Sequence, residues 1–169
     1  MFHVKRRPAE RRREWDADSL YVYGLRLLTF RARSEREVRQ RFQQRGAKLE
    51  DADAAVDRLK ADGLIDDEAF ARAWVESRRR SSPRGERLLQ RELSSKGVPR
   101  DLASAALEGD SDETALARAA ATKKARALAA EPEPAFVRKL TDFLVRRGFE
   151  YDVVAGVVRE LASERGSSL

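Results

Sequence analysis

Apolar residues along this chain follow a pattern that recurs three times around Gly46, Gly97 and Gly148. Each of these turn glycines follows an Arg or a Lys, and the glycines are equally spaced in the sequence. The positions four and eight residues before the glycine, and six and ten after it, are apolar in every copy: Phe42, Leu93, Leu144; Val38, Leu89, Leu140; Ala52, Ala103, Val154; and Val56, Leu107, Val158. A spacing of four residues places side chains on one helical face. The pattern therefore predicts a helix, a glycine turn and a second helix, three times over.

A further helix is predicted before each of these pairs. The first covers residues 19–30, with a face formed by Tyr21, Leu25 and Leu28. The second covers residues 67–80, where Phe70, Trp74 and Ser77 have the same spacing, and the third covers residues 112–129, with Leu116 and Leu128.

Helix start signals agree with this division. Ser34 and Glu37 form a capping box, and Asp66 and Ser111 are suited to cap the fourth and seventh helices. Proline favours the first helical position, so we expect helices to begin at Pro83 (after Ser82), Pro99 and Pro134.

The predicted fold is all-α, with three tandem three-helix repeats stacked into an elongated body. We expect a basic arm at residues 1–18, repeat 1 at 19–65, repeat 2 at 66–110 and repeat 3 at 111–165.

Composition narrows the possible functions. Charged residues make up 38% of the chain and the net charge is +6, so a polyanion or an acidic protein surface is a natural partner. The first part of the arm concentrates this charge, because in residues 1–13 only Glu10 opposes the basic residues Lys5, Arg6, Arg7, Arg11, Arg12 and Arg13. The chain has no cysteine and a single histidine, His3, so we expect no metal site and no cofactor. No phosphate-binding glycine loop or nucleophile motif is present, and we expect a non-enzymatic, cytoplasmic protein.

Two segments resemble the RecX regulatory family. One runs from Tyr23 to Gly46 and contains the helix YGLRLL followed by RARSE; the other runs from Gly63 to Gly97 and contains GLIDDEAFARAWV and ELSSKG. The residues that carry the resemblance are Tyr23, Ser34, Glu37, Gly46, Gly63, Leu64, Ile65, Asp66, Phe70, Trp74 and Gly97, and Gly148 extends it through the repeat pattern. The resemblance implies three tandem three-helix repeats, and it implies binding to the RecA recombinase and its filament on single-stranded DNA. It further implies inhibition of strand exchange and of ATP hydrolysis, and so modulation of DNA repair, recombination and the SOS response.

Two groups of arginines are candidates for contact with this partner or with DNA. The first flanks the junction before the second helix and comprises Arg31, Arg33, Arg36 and Arg39, with Arg41 beside them. The second comprises Arg78, Arg79, Arg80, Arg84, Arg87 and Arg91, the last three of which are expected to share one helical face. Arginine pairs with carboxylates and with phosphates alike, so either partner fits. The alternative is that both groups form solvated helix faces, compensated in the first group by Glu35 and Glu37.

Other motifs have structural interpretations. The GLIDDE stretch reads as a turn glycine (Gly63), two core residues (Leu64, Ile65) and a cap, rather than as a catalytic carboxylate pair. Phe70 and Trp74 are expected in the core of repeat 2, whereas Trp15 either forms an exposed anchor or folds onto repeat 1.

The partners expected are the RecA filament, single-stranded DNA and, more weakly, duplex DNA, with no membrane and a monomeric chain. The alternative is a helical-repeat module that binds DNA directly without a recombinase. Salt separates the two, because phosphate binding weakens steeply as salt rises. A helical scaffold with an unrelated partner is a third possibility.

Overall fold

The computed structural model describes residues 15–108 and 112–166. Within those ranges it contains nine helices and no strand, which confirms the all-α prediction. The helices are α1 (Ala17–Phe30), α2 (Glu35–Gln44), α3 (Leu49–Ala61), α4 (Asp67–Ser81), α5 (Glu86–Ser95), α6 (Arg100–Leu107), α7 (Glu113–Ala127), α8 (Glu133–Arg146) and α9 (Tyr151–Gly166). Three helices fall in each predicted repeat. The basic arm before residue 15, with His3, lies outside the described residues.

The apolar pattern around the turn glycines is the core of each repeat. All twelve residues that recur at the four shared positions are buried. Gly46, Gly63, Gly97 and Gly148 all have positive φ, the conformation that a helix-ending glycine adopts without a Cβ clash. The sequence pattern therefore predicted both the buried faces and the turns correctly.

The chain divides into two compact units at Ile65 and Asp66. The first is repeat 1, in which α1 packs chiefly on α3. Its core consists of Leu20, Val38, Phe42, Ala52, Ala55, Val56, Leu59 and Ile65. The second unit contains repeats 2 and 3, each with its own core.

The predicted face of α1 was displaced by one position. Leu20 and Gly24 are the buried residues of this helix, and Tyr21, Leu25 and Leu28 only flank the core. Gly24 is the reason, because it lets α1 approach α3 closely. A Cβ at Gly24 would lie 2.6 Å from Cδ1 of Leu59.

The core prediction for Leu64 was wrong, and the predicted face of α4 does not extend to Ser77. Leu64 is 43% exposed and Ser77 is exposed, while Ala71 and Val75 fill the core of repeat 2 together with Phe70. In the GLIDDE stretch only Ile65 is buried. Its neighbour Leu64 faces outward, directly after the left-handed Gly63.

Most helix starts follow the predicted caps. Ser34 accepts a hydrogen bond from the amide of Glu37, and Asp66 accepts one from the amide of Ala69. Pro99 is the N-cap of α6 and Pro134 lies in the first turn of α8. The cap of α7 is Asp112, which accepts from the amide of Ala115, while the predicted cap Ser111 lies outside the described residues.

The predicted start of α5 at Pro83 was wrong. The helix begins at Glu86, after an extended N-cap at Gly85. The amide of Gly85 donates to the carbonyl of Arg147 at 2.9 Å, which holds the segment from Ser82 to Gly85 against the turn of repeat 3. Added Cβ atoms would meet backbone on both sides, since that of Gly85 would lie 2.2 Å from the oxygen of Gly148, and that of Gly148 would lie 2.5 Å from the nitrogen of Leu88. Repeats 2 and 3 therefore meet at a contact that only two glycines permit.

Trp15 folds onto repeat 1. Its ring lies 5.5 Å from that of Tyr23, which in turn lies 6.1 Å from that of Phe42 in the core. The guanidinium of Arg45 covers both outer rings, at 5.6 Å from Trp15 and 4.9 Å from Tyr23. The basic residue that precedes the turn glycine in every repeat is Arg45 here, and it covers the two rings in cation–π contacts.

Candidate partner and nucleic-acid interface

Arg31 and Arg33 hold the junction between α1 and α2. Arg31 is the C-cap of α1, and its two terminal nitrogens donate to the carboxylate of Glu37 at 2.9 and 3.2 Å. Nε of Arg33 donates to the carbonyl of Leu27 at 3.1 Å, and burial lowers the pKa of the Arg33 guanidinium. Arg33 is therefore largely engaged within the protein, while Arg31 keeps part of its surface exposed.

Arg39 lies in a charge network between α2 and α3. Its guanidinium pairs with Glu35 at 3.0 Å and with Asp53, and Lys60 donates to Glu35 at 2.7 Å. The hydrogen bond from Lys60 lowers the pKa of the Glu35 carboxyl. Arg36, on the outer side of α2, is exposed and has no acidic partner in the part of the chain that the structure describes.

Repeat 2 gathers its basic groups around one carboxylate, which we call the Glu92 cluster (Trp74, Arg78, Arg84 and Glu92). The Trp74 indole donates to Glu92 at 2.9 Å and Nε of Arg78 donates to the same oxygen at 3.1 Å. Arg84 pairs with the second oxygen of Glu92. Trp74 is thus half-buried under two cations, with Arg78 at 4.3 Å and Lys96 at 4.8 Å from its ring. The sequence analysis missed Glu92, since nothing in its spacing distinguishes it from other helical glutamates.

Arg147 adds a further positive charge beside this cluster. Its guanidinium donates to Ser82 Oγ at 3.3 Å and to the carbonyl of Pro83 at 3.0 Å, both neutral acceptors. Burial lowers the pKa of Arg84, and the charges of Arg78 and Arg147 lower it further. The sequence analysis missed Arg147 as a site residue, although it precedes a turn glycine as Arg45 does.

The other predicted arginines of repeat 2 point to different surroundings. Arg79 donates to the carbonyl of Leu107 at 3.2 Å, where it satisfies the end of α6. Arg80 pairs with Glu76 one turn away at 2.8 Å, on an exposed face. Arg87 lies 3.8 Å from Glu150 of repeat 3, and Arg91 is exposed beside a cavity.

The predicted common face of Arg84, Arg87 and Arg91 was therefore wrong. Arg84 precedes the N-cap Gly85 and is not part of α5, so helical spacing does not apply to it. Its partner Glu92 and the partner of Arg87, Glu150, belong to different repeats.

The groove between the second and third helices differs between repeats at one register position. Seven residues before the turn glycine stands Arg39 in repeat 1, Gln90 in repeat 2 and Thr141 in repeat 3. Arg39 bridges the groove of repeat 1. Gln90 lines a cavity of about 490 Å³ between α5 and α6, and Thr141 lines one of about 620 Å³ between α8 and α9.

A half-buried carboxyl lies where repeats 2 and 3 meet. Oε1 of Glu113 is buried and has no hydrogen-bond partner. Burial raises the pKa of Glu113, and the nearby charges of Glu86 and Glu150 raise it further. A negative charge on Glu113 therefore disfavours this junction.

The arrangements described above consist of arginines paired with carboxylates or backbone carbonyls, and of arginines exposed to solvent. Among residues 15–108 and 112–166, no group of three acidic, histidine or cysteine side chains could hold a metal ion. None of the helices in those ranges is long and apolar enough to cross a membrane. What the described surface offers is a set of arginines, of which some are fixed by carboxylates and others are available to an anionic partner.

Comparison with known proteins gives a consistent result along the chain. Models of the RecX family match as its first three-helix domain at residues 21–59, its second at 66–107 and its third at 111–158. The chain is 38% identical over 145 residues to the regulatory protein RecX of Mycobacterium avium, covering 83% of this chain and 84% of that protein. It is 34% identical over 154 residues to the regulatory protein RecX of Chlorobaculum tepidum, covering 91% and 95%.

The fold has the same relatives. The crystal structure of RecX from Lactobacillus salivarius superposes with a TM-score of 0.75 at 23% identity, over 86% of this chain and 96% of that one. Three matched domains in order, and relatives above 30% identity over most of the chain, confirm the resemblance drawn from the Tyr23–Gly46 and Gly63–Gly97 segments. The chain belongs to the RecX family of regulatory proteins.

Proposed function

We propose that this chain binds a RecA-type recombinase and its filament on single-stranded DNA, and that it lowers strand exchange and ATP hydrolysis by the filament. The observation that carries the proposal is the match of all three domains to a family whose members are named regulatory proteins. The protein would act by binding, in the cytoplasm as a monomer, and would modulate DNA repair and recombination.

The described surface supports a binding role of this kind. Arg36 in repeat 1 and Arg80 in repeat 2 are exposed. Among residues 15–108 and 112–166, Arg36 has no acidic partner and Arg80 pairs with Glu76, one turn away on a solvated face. Surface pairs of this kind contribute little stability and exchange readily for another carboxylate. Both arginines are therefore available to an acidic protein surface without cost to the fold.

The alternative, a module that binds DNA directly without a recombinase, has its own support. The cavity between α5 and α6 presents two arginines and no acid, a lining suited to phosphate. In this case single-stranded DNA would be the principal partner and duplex DNA a weaker one.

The test is ATP hydrolysis by a RecA filament on single-stranded DNA, with this protein titrated to well below one copy per recombinase. We expect hydrolysis to fall at these low ratios and at moderate salt. No fall in hydrolysis, while the protein still binds naked DNA, would contradict the proposal and favour the alternative.

A pair of matched variants tests the surface. We expect Arg36→Glu/Arg80→Glu to weaken inhibition, because the reversed charges would repel an acidic surface of the recombinase. Both side chains are exposed, so the fold should be retained. The control is Arg138→Glu/Arg146→Glu, which changes the charge equally at two exposed positions of α8. Equal inhibition by both double variants would exclude Arg36 and Arg80 as recombinase contacts.

A further inference from the structure

The cavity between α5 and α6 has an unusual lining for so charged a protein. It measures about 490 Å³ and is lined by Gln90, Arg91, Ser94, Ser95, Val98, Arg100 and Ala103. Five of these side chains can donate hydrogen bonds and none is acidic. We call this the α5–α6 cavity.

Its two arginines differ from most predicted site residues because no carboxylate holds them. Arg91 and Arg100 are exposed, and neither has an acidic partner within the described residues. The acid next to Arg91 in sequence, Glu92, is occupied by the Glu92 cluster. The acid next to Arg100, Asp101, does not line the cavity.

The pair is not a consequence of the repeat. The positions equivalent to Arg91 are Gln40 and Asp142, and those equivalent to Arg100 are Leu49 and Tyr151. Only repeat 2 therefore has a cation at both of these register positions. A requirement of the fold would place them in all three repeats.

The start of α6 adds positive potential at the same place. Its N-cap is Pro99, which offers no side-chain hydrogen bond, and the first backbone bond of the helix joins the amide of Ala103 to the carbonyl of Pro99. The preceding amides of this first turn carry the positive end of the helix dipole. This potential, offset in part by the exposed side chain of Asp101 in the same turn, adds to that of the two arginines.

We infer that the α5–α6 cavity binds the phosphates of a nucleic-acid strand, with Arg91 and Arg100 as the anchoring cations. Guanidinium groups bind phosphate oxygens in a bidentate manner, and Ser94 and Gln90 add neutral donors. The inference rests on the proposed function in that it names where the chain would touch the DNA of the filament. A phosphodiester strand and free phosphate share this chemistry, so the test must separate them.

The experiment measures binding of the full chain to a fluorescent single-stranded oligonucleotide, without recombinase, across a series of salt concentrations. Arg91→Gln/Arg100→Gln is expected to bind about tenfold more weakly at low salt, the order expected for two exposed guanidinium–phosphate pairs. The slope of log K against log salt should fall by about 1.4, since each phosphate contact on a single strand contributes about 0.7. The matched control Arg138→Gln/Arg146→Gln loses the same charge and should keep the wild-type slope.

Competition separates the two sources of phosphate. Unlabelled oligonucleotide should displace the probe at low concentration, whereas inorganic phosphate at equal ionic strength should not. If inorganic phosphate displaced the probe as readily as the oligonucleotide does, the cavity would be a site for free phosphate, and the inference that it binds a nucleic-acid strand would be overturned. Equal slopes for both double variants, or no binding by the wild type at low salt, would overturn the inference as a whole. Because no recombinase is present, these outcomes are independent of whether the chain inhibits a RecA filament.

Discussion

Repeat 1 and the unit formed by repeats 2 and 3 share one apolar register but arrange their charges differently. In repeat 1, Arg39 and Lys60 meet Glu35 inside a groove, so these two cations are paired within the repeat. In the second unit, Glu92 faces Arg78 and Arg84, and Arg147 lies nearby and donates to the neutral oxygens of Ser82 and Pro83. The difference shows that the twelve core positions set the fold, while the intervening polar positions decide which cations of a repeat meet a carboxylate.

The turn glycines differ in the same way. A Cβ added at Gly46 would meet nothing within 4 Å, whereas one at Gly148 would meet the backbone of Leu88. In repeat 1 the turn glycine only ends a helix. In the second unit Gly148 ends a helix and also permits a contact between repeats 2 and 3.

Each unit contains one tryptophan, Trp15 in the first and Trp74 in the second. The variant Trp74→Phe therefore reports the fluorescence of the first unit alone, and Trp15→Phe that of the second.

The largest expected effect comes from substituting the two glycines. Gly148→Ala combines left-handed strain with a backbone clash and should reduce the free energy of unfolding by about 3 kcal/mol. Gly46→Ala carries only the strain and should cost about 1 to 2 kcal/mol. Denaturant unfolding, followed through Trp74 for the first and Trp15 for the second, measures the two. Equal losses would show that the contact with Leu88 relaxes.

The Glu92 cluster gives the next effect. Glu92→Gln leaves Arg78 and Arg84 half-buried without a counter-charge and should destabilise the second unit by about 1 to 2 kcal/mol. The control Glu76→Gln breaks the exposed pair with Arg80 and should cost at most about 0.5 kcal/mol. Both are measured through Trp74. If Glu92→Gln proved as mild as the control, the cluster would be a solvated surface and not a source of stability.

Sequence reasoning predicted the parts of this fold that depend on local periodicity. A spacing of four residues around a glycine has one structural outcome, so positions such as Phe42 and Leu93 were assigned correctly. The misassigned positions depend on tertiary contact. Gly24 faces the core because α3 approaches it, and α5 starts late because Gly85 bonds to Arg147, sixty-two positions further along the chain.

The candidate site was harder to predict for a related reason. A cluster of arginines in sequence does not show which of them meet carboxylates after folding. Arg84 and Arg87 acquire acidic partners from α5 and from repeat 3, whereas Arg91 does not, although all three looked alike in the sequence. Arg100 was not considered, because it stands alone in sequence and joins Arg91 only through the packing of α5 on α6.

The two units should also respond to pH in opposite directions. In repeat 1 the pKa of Glu35 is lowered by its hydrogen bond from Lys60. A carboxyl with a lowered folded-state pKa contributes stability above its ordinary value of about 4.3, and this contribution disappears as the pH falls through the folded-state pKa. Glu35→Gln should therefore destabilise repeat 1 by about 0.5 to 1 kcal/mol at pH 7 and have little effect in acid, as read through Trp15.

Glu113 should show the reverse, with the smallest effect of the series. Its pKa is raised by burial and by Glu86 and Glu150, so the charged form weakens the folded state, and the penalty is absent below a pH of about 4.3. Glu113→Gln keeps a side-chain oxygen that can accept a hydrogen bond and removes the charge. The variant should stabilise the second unit by roughly 0.5 kcal/mol at pH 7, followed through Trp74, and should match the wild type near pH 4. A loss of stability at pH 7 would mean that the attraction between the Glu113 charge and the N-terminus of α7 outweighs its repulsion by Glu86 and Glu150. The two units would then respond to pH in the same direction.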